Sequence, residues 1–373
     1  MNFKISKNIF SNALQISTRA VSPNSPIPAL VGISIIINKD NLILISSDSD
    51  ISIKVELSNA IDDKTQLEVN ETGELVIDYR IITEIVRKID SDIINFELID
   101  DRYIRIFGEL TEYKINTIDP KQYPQIQFKE INDVIKINSD ILKSVIEQTF
   151  FATSDTETRP VLTGVNFKYQ NQTLKCVATD SFRLAQKSIA LNEDYDFNIT
   201  IPKKSLVEIN HTLKEDQEVI LKVENNSAQF IIDNILIQTR LIEGDYPDTD
   251  RLLPTNFDYE LVIKSKELRD AIDRTSFIKT EGTNIIKLNL EEDKVSLKSE
   301  SNEVGSSFQN LNIISYTGDK LNIACSGKYV KEALKSLNSD TVKIQFKGEM
   351  KPFIFTSEEN IDNIELVLPI RTY

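Results

Sequence analysis

Few residues of this chain could do chemistry by themselves. Its 373 residues include one histidine, His211, and two cysteines, Cys176 and Cys325. His211 ends a helix-forming stretch and has no HxxxH or His-Cys spacing, so it reads as a surface or helix-end histidine rather than a metal ligand or proton shuttle. Each cysteine lies in or beside strand-like apolar surroundings, which predicts buried, reduced thiols rather than a disulfide. There is no Cys-x-x-Cys pair and no glycine-rich loop ending in Gly-Lys-Ser or Gly-Lys-Thr. Ser326-Gly327-Lys328 is too short a match to mean more than a turn before a helix.

Carboxylates offer the remaining chemistry. Ser46-Ser47-Asp48-Ser49-Asp50, Thr179-Asp180-Ser181 and Glu300-Ser301-Asn302 are acidic clusters, and paired carboxylates can hold magnesium during phosphoryl transfer. A metal-dependent nuclease using Asp48, Asp50 or Asp180 is the enzyme reading they allow. However, the three clusters occupy equivalent turns of a repeat, and their side chains vary. Asp and Ser bond to nearby backbone groups in turns, which explains the recurrence without catalysis.

The elements that carry these turns recur three times, at a period of about 125 residues. One helix opener begins at Ser6, Asn138 and Lys264, and a second at Ile77, Ile201 and Cys325. Phe10, Ala13 and Leu14 share one helical face, as do Leu268, Ala271 and Ile272, so each stripe can pack on a sheet. Ser6, Ser139 and Ser265 are expected to cap the first helices. The runs from Val31, Leu162 and Asn284 each read as three strands joined by polar turns. IINFEL, VILKV and VKIQF follow the second helices, and YIRIFG, AQFIIDN and PFIFTSE come next. The fold class is therefore α+β, each repeat being an internally duplicated helix-and-sheet module with helices covering the sheets. Proline-containing stretches near Lys129 and Pro254 place the domains at 1–129, 130–254 and 255–373.

A formal net charge of −15 argues against a chain that coats DNA through bulk charge, though it permits a local basic surface. No uncharged stretch is long enough to cross a bilayer, and MNFKISKN lacks a signal-peptide core or cleavage site. A cytosolic location is the expectation.

Thr158-Arg159-Pro160-Val161-Leu162-Thr163-Gly164-Val165, Val177 through Ala185 (VATDSFRLA), Gly244-Asp245-Tyr246-Pro247 and the terminal Leu366-Val367-Leu368-Pro369-Ile370-Arg371 carry a resemblance. With the threefold order, the whole chain resembles the bacterial DNA polymerase III beta subunit, the replication sliding clamp family. That resemblance implies a three-domain clamp fold and a head-to-tail dimer, closed around duplex DNA with helices inside and sheets outside. It implies a processivity factor with no catalytic centre, no metal and no intrinsic cofactor; ATP belongs to the clamp loader. The implied partners are a second copy, duplex DNA, the replicative polymerase, the clamp loader, repair polymerases and other clamp-motif proteins. The implied location is cytoplasmic, at the nucleoid during replication.

Carried over residue by residue, the resemblance puts a peptide groove at Leu162, Thr179, Phe182, Arg183, Leu184, Pro247, Arg251, Leu252, Tyr329, Leu366, Leu368, Pro369 and Ile370. Basic residues on or beside the helices are candidates to face DNA: Lys7, Arg19, Arg80, Lys143, Lys203, Lys204, Arg269 and Lys331. Tyr113 and Ile115 against Phe277 and Ile278 are the candidates for the dimer joint. Two positions depart from some relatives: Asn24 stands where a basic DNA contact is found, and Phe182 where a histidine is. A protein-binding scaffold that never encircles DNA also accounts for the repeats and the acidity, but makes less use of these motifs.

Overall fold

The computed structural model describes all residues except 62–63, 101, 132–133, 192–194, 293 and 372–373, and the backbone only at 60–61 and 64–65. Six helices stand where the repeat places them: α1 (Lys7–Ser17), α2 (Tyr79–Lys88), α3 (Ser139–Thr149), α4 (Lys203–Thr212), α5 (Ser265–Thr275) and α6 (Gly327–Leu337). The apolar stripes face inward, burying Phe10, Ala13 and Leu14 on α1 and Leu268, Ala271 and Ile272 on α5.

Each helix is entered directly from a short strand that the sequence does not mark: Asn2–Ser6, Gly73–Asp78, Val134–Asn138, Phe197–Pro202, Tyr259–Lys264 and Leu321–Ser326. The strand's last residue keeps an extended ψ, 126° at Ser6 and Asp78 and 128° at Lys264, and so serves as the N-cap. This geometry corrects the serine caps. Ser6 holds the cap position without a side-chain bond, and Ser139 and Ser265 lie one residue inside their helices. Asn138 caps α3 instead, its Oδ1 accepting the Asp140 amide at 2.8 Å, and Ser139 Oγ accepts the Gln217 amide at 2.9 Å. Asp78 and Ser326 cap α2 and α6.

Contacts divide the chain into two compact units, Met1–Asp140 with Val207–Leu241, and Ile141–Leu206 with Ile242–Tyr373. The first unit has a five-stranded antiparallel sheet, in the order Glu112–Asn116, Tyr103–Phe107, Ile93–Asp100, Asn2–Ser6 and Leu67–Glu71. Phe3 stacks on Phe96 at 4.5 Å, and Phe10 of α1 meets Phe96 edge-on, tying helix to sheet. Its eight-stranded sheet joins two repeats where Ile235–Arg240 pairs antiparallel with Ile51–Ser58.

The second unit repeats that seam. Within its nine-stranded sheet, Asn363–Val367 of the third repeat pairs antiparallel with Arg183–Ala190 of the second. A four-stranded sheet runs Gly305–Leu311, Lys294–Ser301, Ile285–Glu291 and Leu321–Ser326. Beneath α5 and α6 one continuous core gathers Leu268, Ile272, Val330, Leu334, Phe346, Phe353 and Phe355.

Candidate functional site

The turn Thr179–Arg183 organises the most built-up part of the surface. Ser181 takes a left-handed φ of 77°, and its amide donates to Thr179 Oγ1 at 3.1 Å. Asp180 accepts the amides of Phe182 and Arg183 at 2.9 and 3.1 Å. The turn therefore swings Phe182 outward, 60% exposed, and draws Arg183 inward to 7%. The first repeat builds the same turn. Ser49 has φ 84°, its amide donates to Ser47 Oγ, and Asp48 accepts the amides of Asp50 and Ile51. Asp48 and Asp180 thus hold their own turns. Among the described residues, no group of three His, Cys, Asp or Glu could hold a metal.

Arg183 is surrounded by partners. Its Nε donates to Asp180 at 3.0 Å, Nη1 pairs with Glu332, and Nη2 donates to the Phe151 carbonyl at 2.7 Å. The guanidinium also lies over the Tyr329 ring, 4.5 Å from its centroid. Across the seam Leu184 faces Leu366, and with Val177 and Ile354 they form a buried apolar cluster. Leu368, Tyr246, Leu253, Phe257 and Ile364 pack against that cluster. The Tyr246 hydroxyl accepts the Thr179 amide at 3.0 Å, and burial pushes its phenol well above the usual range. The tail is held by the Leu368 amide on the Phe182 carbonyl at 3.0 Å and the Ile370 amide on the Ala324 carbonyl at 2.7 Å.

Among the thirteen groove candidates, Thr179, Phe182, Arg183, Leu184, Tyr329, Leu366 and Leu368 are thus brought to one place. Leu162 is buried in the turn Pro160–Thr163. Pro369 is half-buried, and Ile370 lines a separate hollow with Ala324 and Met350. Pro247 is exposed, Leu252 is half-exposed, and Arg251 points to solvent with Asp248 at 3.0 Å. Val177, Ile354 and Tyr246 were missed as site residues. Tyr246 had a signal, since it lies inside the Gly-Asp-Tyr-Pro motif. Ile354 had none beyond strand alternation.

Glu365, opposite Ala185 in the seam, is 2% exposed. Burial raises its carboxyl well above the usual carboxylate range. Ser336 Oγ contacts Glu365 Oε1 and the Gln148 carbonyl at 3.1 Å, and it accepts Asn363 Nδ2 at 3.1 Å. One hydroxyl proton cannot serve both oxygens. A protonated Glu365 resolves this by donating to Ser336 Oγ, which then donates to Gln148. A raised folded-state pKa gives stability that is complete below the unfolded value and lost as pH rises through the folded value. Glu365→Gln is therefore expected to match the parent in urea denaturation at pH 4 and to exceed it at pH 8. Equal stability at both pH values would show that Glu365 is not protonated on folding.

The DNA-facing candidates are mostly engaged. Lys7 Nζ donates to the Ile89 carbonyl at 2.7 Å, Arg19 lies 3.5 Å from Glu208, and Arg80 pairs with Asp78 at 2.7 Å. Lys203 meets Asp155 at 3.1 Å, and Lys331 pairs with Asp273. Lys143 and Lys204 are exposed, and Arg269 is half-buried. His211 is half-exposed on α4, 3.8 Å from Glu208, and both cysteines are buried free thiols.

At the joint candidates, Tyr113 and Ile115 lie half-buried on the edge strand Glu112–Asn116. With Ile81 and Ile85 of α2 they line an apolar hollow of about 400 Å³. Phe277 is 66% exposed. Ile278 is only 3% exposed and packs inside its own repeat, which leaves Phe277 as the side chain that can reach a partner.

Three family models of the DNA polymerase III beta subunit match in order: the N-terminal domain at residues 1–127, the central domain at 136–248 and the C-terminal domain at 250–371. The beta sliding clamps of Staphylococcus epidermidis and Staphylococcus aureus are 37% and 36% identical to this chain, with both chains fully covered. The DNA polymerase sliding clamp of Bacillus subtilis superposes with a TM-score of 0.97 at 35% identity, again over all of both chains. The beta chain of Streptococcus pneumoniae gives 0.96 at 32%. The chain belongs to the DNA polymerase III beta subunit family. It has that family's three-domain clamp fold, and it is a non-catalytic processivity factor that needs no cofactor of its own. The nuclease and scaffold readings find no support.

Proposed function

We propose that two copies of this chain close head to tail into a ring around duplex DNA. The observation that carries this is the repeated seam. In both internal seams, the third strand of one repeat's second half pairs with the third strand of the preceding repeat's first half. Two such strands are sheet edges, paired on one side alone among the described residues: Glu112–Asn116 of the first repeat and Gly305–Leu311 of the third. The same rule pairs them between copies. A heterologous contact that closes yields a ring rather than a filament.

The register follows from the existing seams. Thr239 faces Ile51 and Val367 faces Arg183. Ile51, Arg183 and Gly305 each lie four residues beyond the turn hydroxyls of Ser47, Thr179 and Ser301. Ile115 is the counterpart of Thr239 and Val367, so it faces Gly305 of the other copy, and Tyr113 faces Ser307. Phe277 then enters the hollow beside Ile81, Ile85, Tyr113 and Ile115.

The domains run 1–129, 130–254 and 255–373. Exposed cations on the helices, Lys143 and Lys204 among them, hold phosphates loosely and without base readout, so the ring slides. The cluster around Leu184, Leu366 and Leu368, with Arg183 and the tail, takes linear peptides of the replicative polymerase, the clamp loader and repair polymerases, and the loader supplies the ATPase. The protein works in the cytoplasm at the nucleoid.

A ring with Tyr113→Cys and Ser307→Cys tests this, because Cys176 and Cys325 are buried and do not compete. Loaded on circular DNA by the clamp loader and oxidised, it is expected to stay bound through high salt. Reduction or cutting the circle should release it. Equal loss from circular and linear DNA would defeat the encircling reading.

A further inference from the structure

The three repeats cover the outer faces of their first sheets unequally. In the first repeat the Ile118 amide donates to the Val76 carbonyl at 2.8 Å, and in the second the Ile242 amide donates to the Thr200 carbonyl at 2.9 Å. Each connector then crosses its sheet. The Tyr123 hydroxyl donates to the Ile45 carbonyl at 3.2 Å, and the Tyr246 hydroxyl accepts the Thr179 amide at 3.0 Å. Strand register makes Val76–Ser34–Ile45, Thr200–Asn166–Val177 and Ala324–Lys287–Lys298 one row in three copies. Val76, Ser34, Thr200, Asn166 and Val177 are all buried.

The third repeat starts the same way, with the Ile370 amide on the Ala324 carbonyl at 2.7 Å. Among the described residues, however, no tyrosine follows onto its face. Phe308, opposite Lys298, is left 58% exposed, and Met350 is 50% exposed. Two hollows of about 460 and 260 Å³ mark the bare path. Ile370, Met350 and Ala324 line the first, Phe308 lines the second, and Asn289 and Asn322 line both. Of the cations around them, Lys287 is paired with Glu300 and Lys320 with Glu291. Lys294 and Arg371 also line the hollows and make no ion pair among the described residues. Arg371 follows Ile370 where acids, Asp119 and Glu243, follow Ile118 and Ile242. The tail that brings Leu368 to the groove brings Ile370 to this face, so the two surfaces are continuous.

We propose that the outer face of the third repeat docks an acidic, extended segment of a partner protein that lays an aromatic side chain against Phe308. Such a segment does for this face what the connectors, each with an acid and a tyrosine, do for the other two. Its carboxylates meet Lys294 and Arg371, and its ring covers an exposed aromatic surface. Extended chain crossing the strands, rather than a helix, is the form that both connectors take.

Fluorescence anisotropy of a labelled peptide LIEGDYP, copied from residues 241–247, tests the site when the full chain is titrated into it. Saturable binding is expected. Asn322→Asp with Met350→Asp, two changes at exposed positions that line the hollows, should weaken it at least about tenfold. Replacing the peptide's tyrosine with alanine should weaken it at least about fivefold. Phe182→Ala, a change at the groove, should leave it within about twofold. Absence of saturable binding, or an equal loss in Phe182→Ala and the double variant, would overturn the proposal. So would two other results, because each names a different occupant. Binding seen only after Thr372 and Tyr373 are removed would assign the face to the chain's own end. Association of the parent beyond a dimer in sedimentation, abolished by the double variant, would assign it to a second copy. The titration uses neither loader nor DNA and does not engage the groove, so its failure leaves the ring and the groove standing.

Discussion

Replacing Phe277 with aspartate is expected to weaken the dimer at least about 100-fold while leaving the melting temperature of the chain, compared at a concentration where both proteins are monomeric, unchanged. Phe277 is a large aromatic side chain left 66% exposed, so it contributes little to its own repeat. Seated in the hollow lined by Ile81, Ile85, Tyr113 and Ile115, it would contribute on the order of 2–3 kcal/mol through apolar burial. An aspartate forfeits that term and brings a charge beside Glu84, which lines the same hollow. Ile278 must not be used for this test. It is 3% exposed and its carbonyl accepts Asn284 Nδ2 at 2.9 Å, so a charge there would disrupt the repeat itself. Sedimentation velocity with a parallel melt separates the two effects. A Phe277→Asp chain that sediments as the parent dimer would remove Phe277 from the joint.

The second large effect is expected at Arg183. Arg183→Ala should lower the unfolding free energy measured in urea by about 3–5 kcal/mol, because it strips partners from charges held out of water. Asp180 and Glu332 would lose their guanidinium, and the Phe151 carbonyl its donor. The Tyr329 ring would lose the cation over its face. Pairing Arg183→Met with Glu332→Gln keeps volume and removes one orphaned charge. That double variant is expected to recover at least about 1 kcal/mol over the sum of the single losses. A loss below about 1 kcal/mol for Arg183→Ala would mean that the guanidinium does not hold the turn in place.

How much of this was legible beforehand depends on whether the signal is local. The helix openers at Ser6, Asn138 and Lys264 and at Ile77, Ile201 and Cys325 all form helices, because an apolar face of period 3.6 is written in consecutive residues. The turn role of Asp48 and Asp180 was legible for the same reason: their partners are amides two and three residues on. The caps expected at Ser139 and Ser265 failed, and Ser6 kept its position without a side-chain bond, because a strand runs straight into each helix and its last residue takes the cap whatever its type. Lys264 caps α5 with no side-chain bond at all.

Taken alone, the sequence determined the threefold repeat, the α+β module, the six helices and the family, since each is encoded in local pattern or in motifs of adjoining residues. It left open which candidates meet. Leu184 faces Leu366 and Arg183 meets Glu332 only because strands from different repeats join in one sheet. The burial of Ile278 beside an exposed Phe277 and the raised carboxyl of the buried Glu365 were likewise decided by tertiary packing. Burial and charge compensation depend on neighbours that the chain brings together from many residues away, and no local periodicity records them.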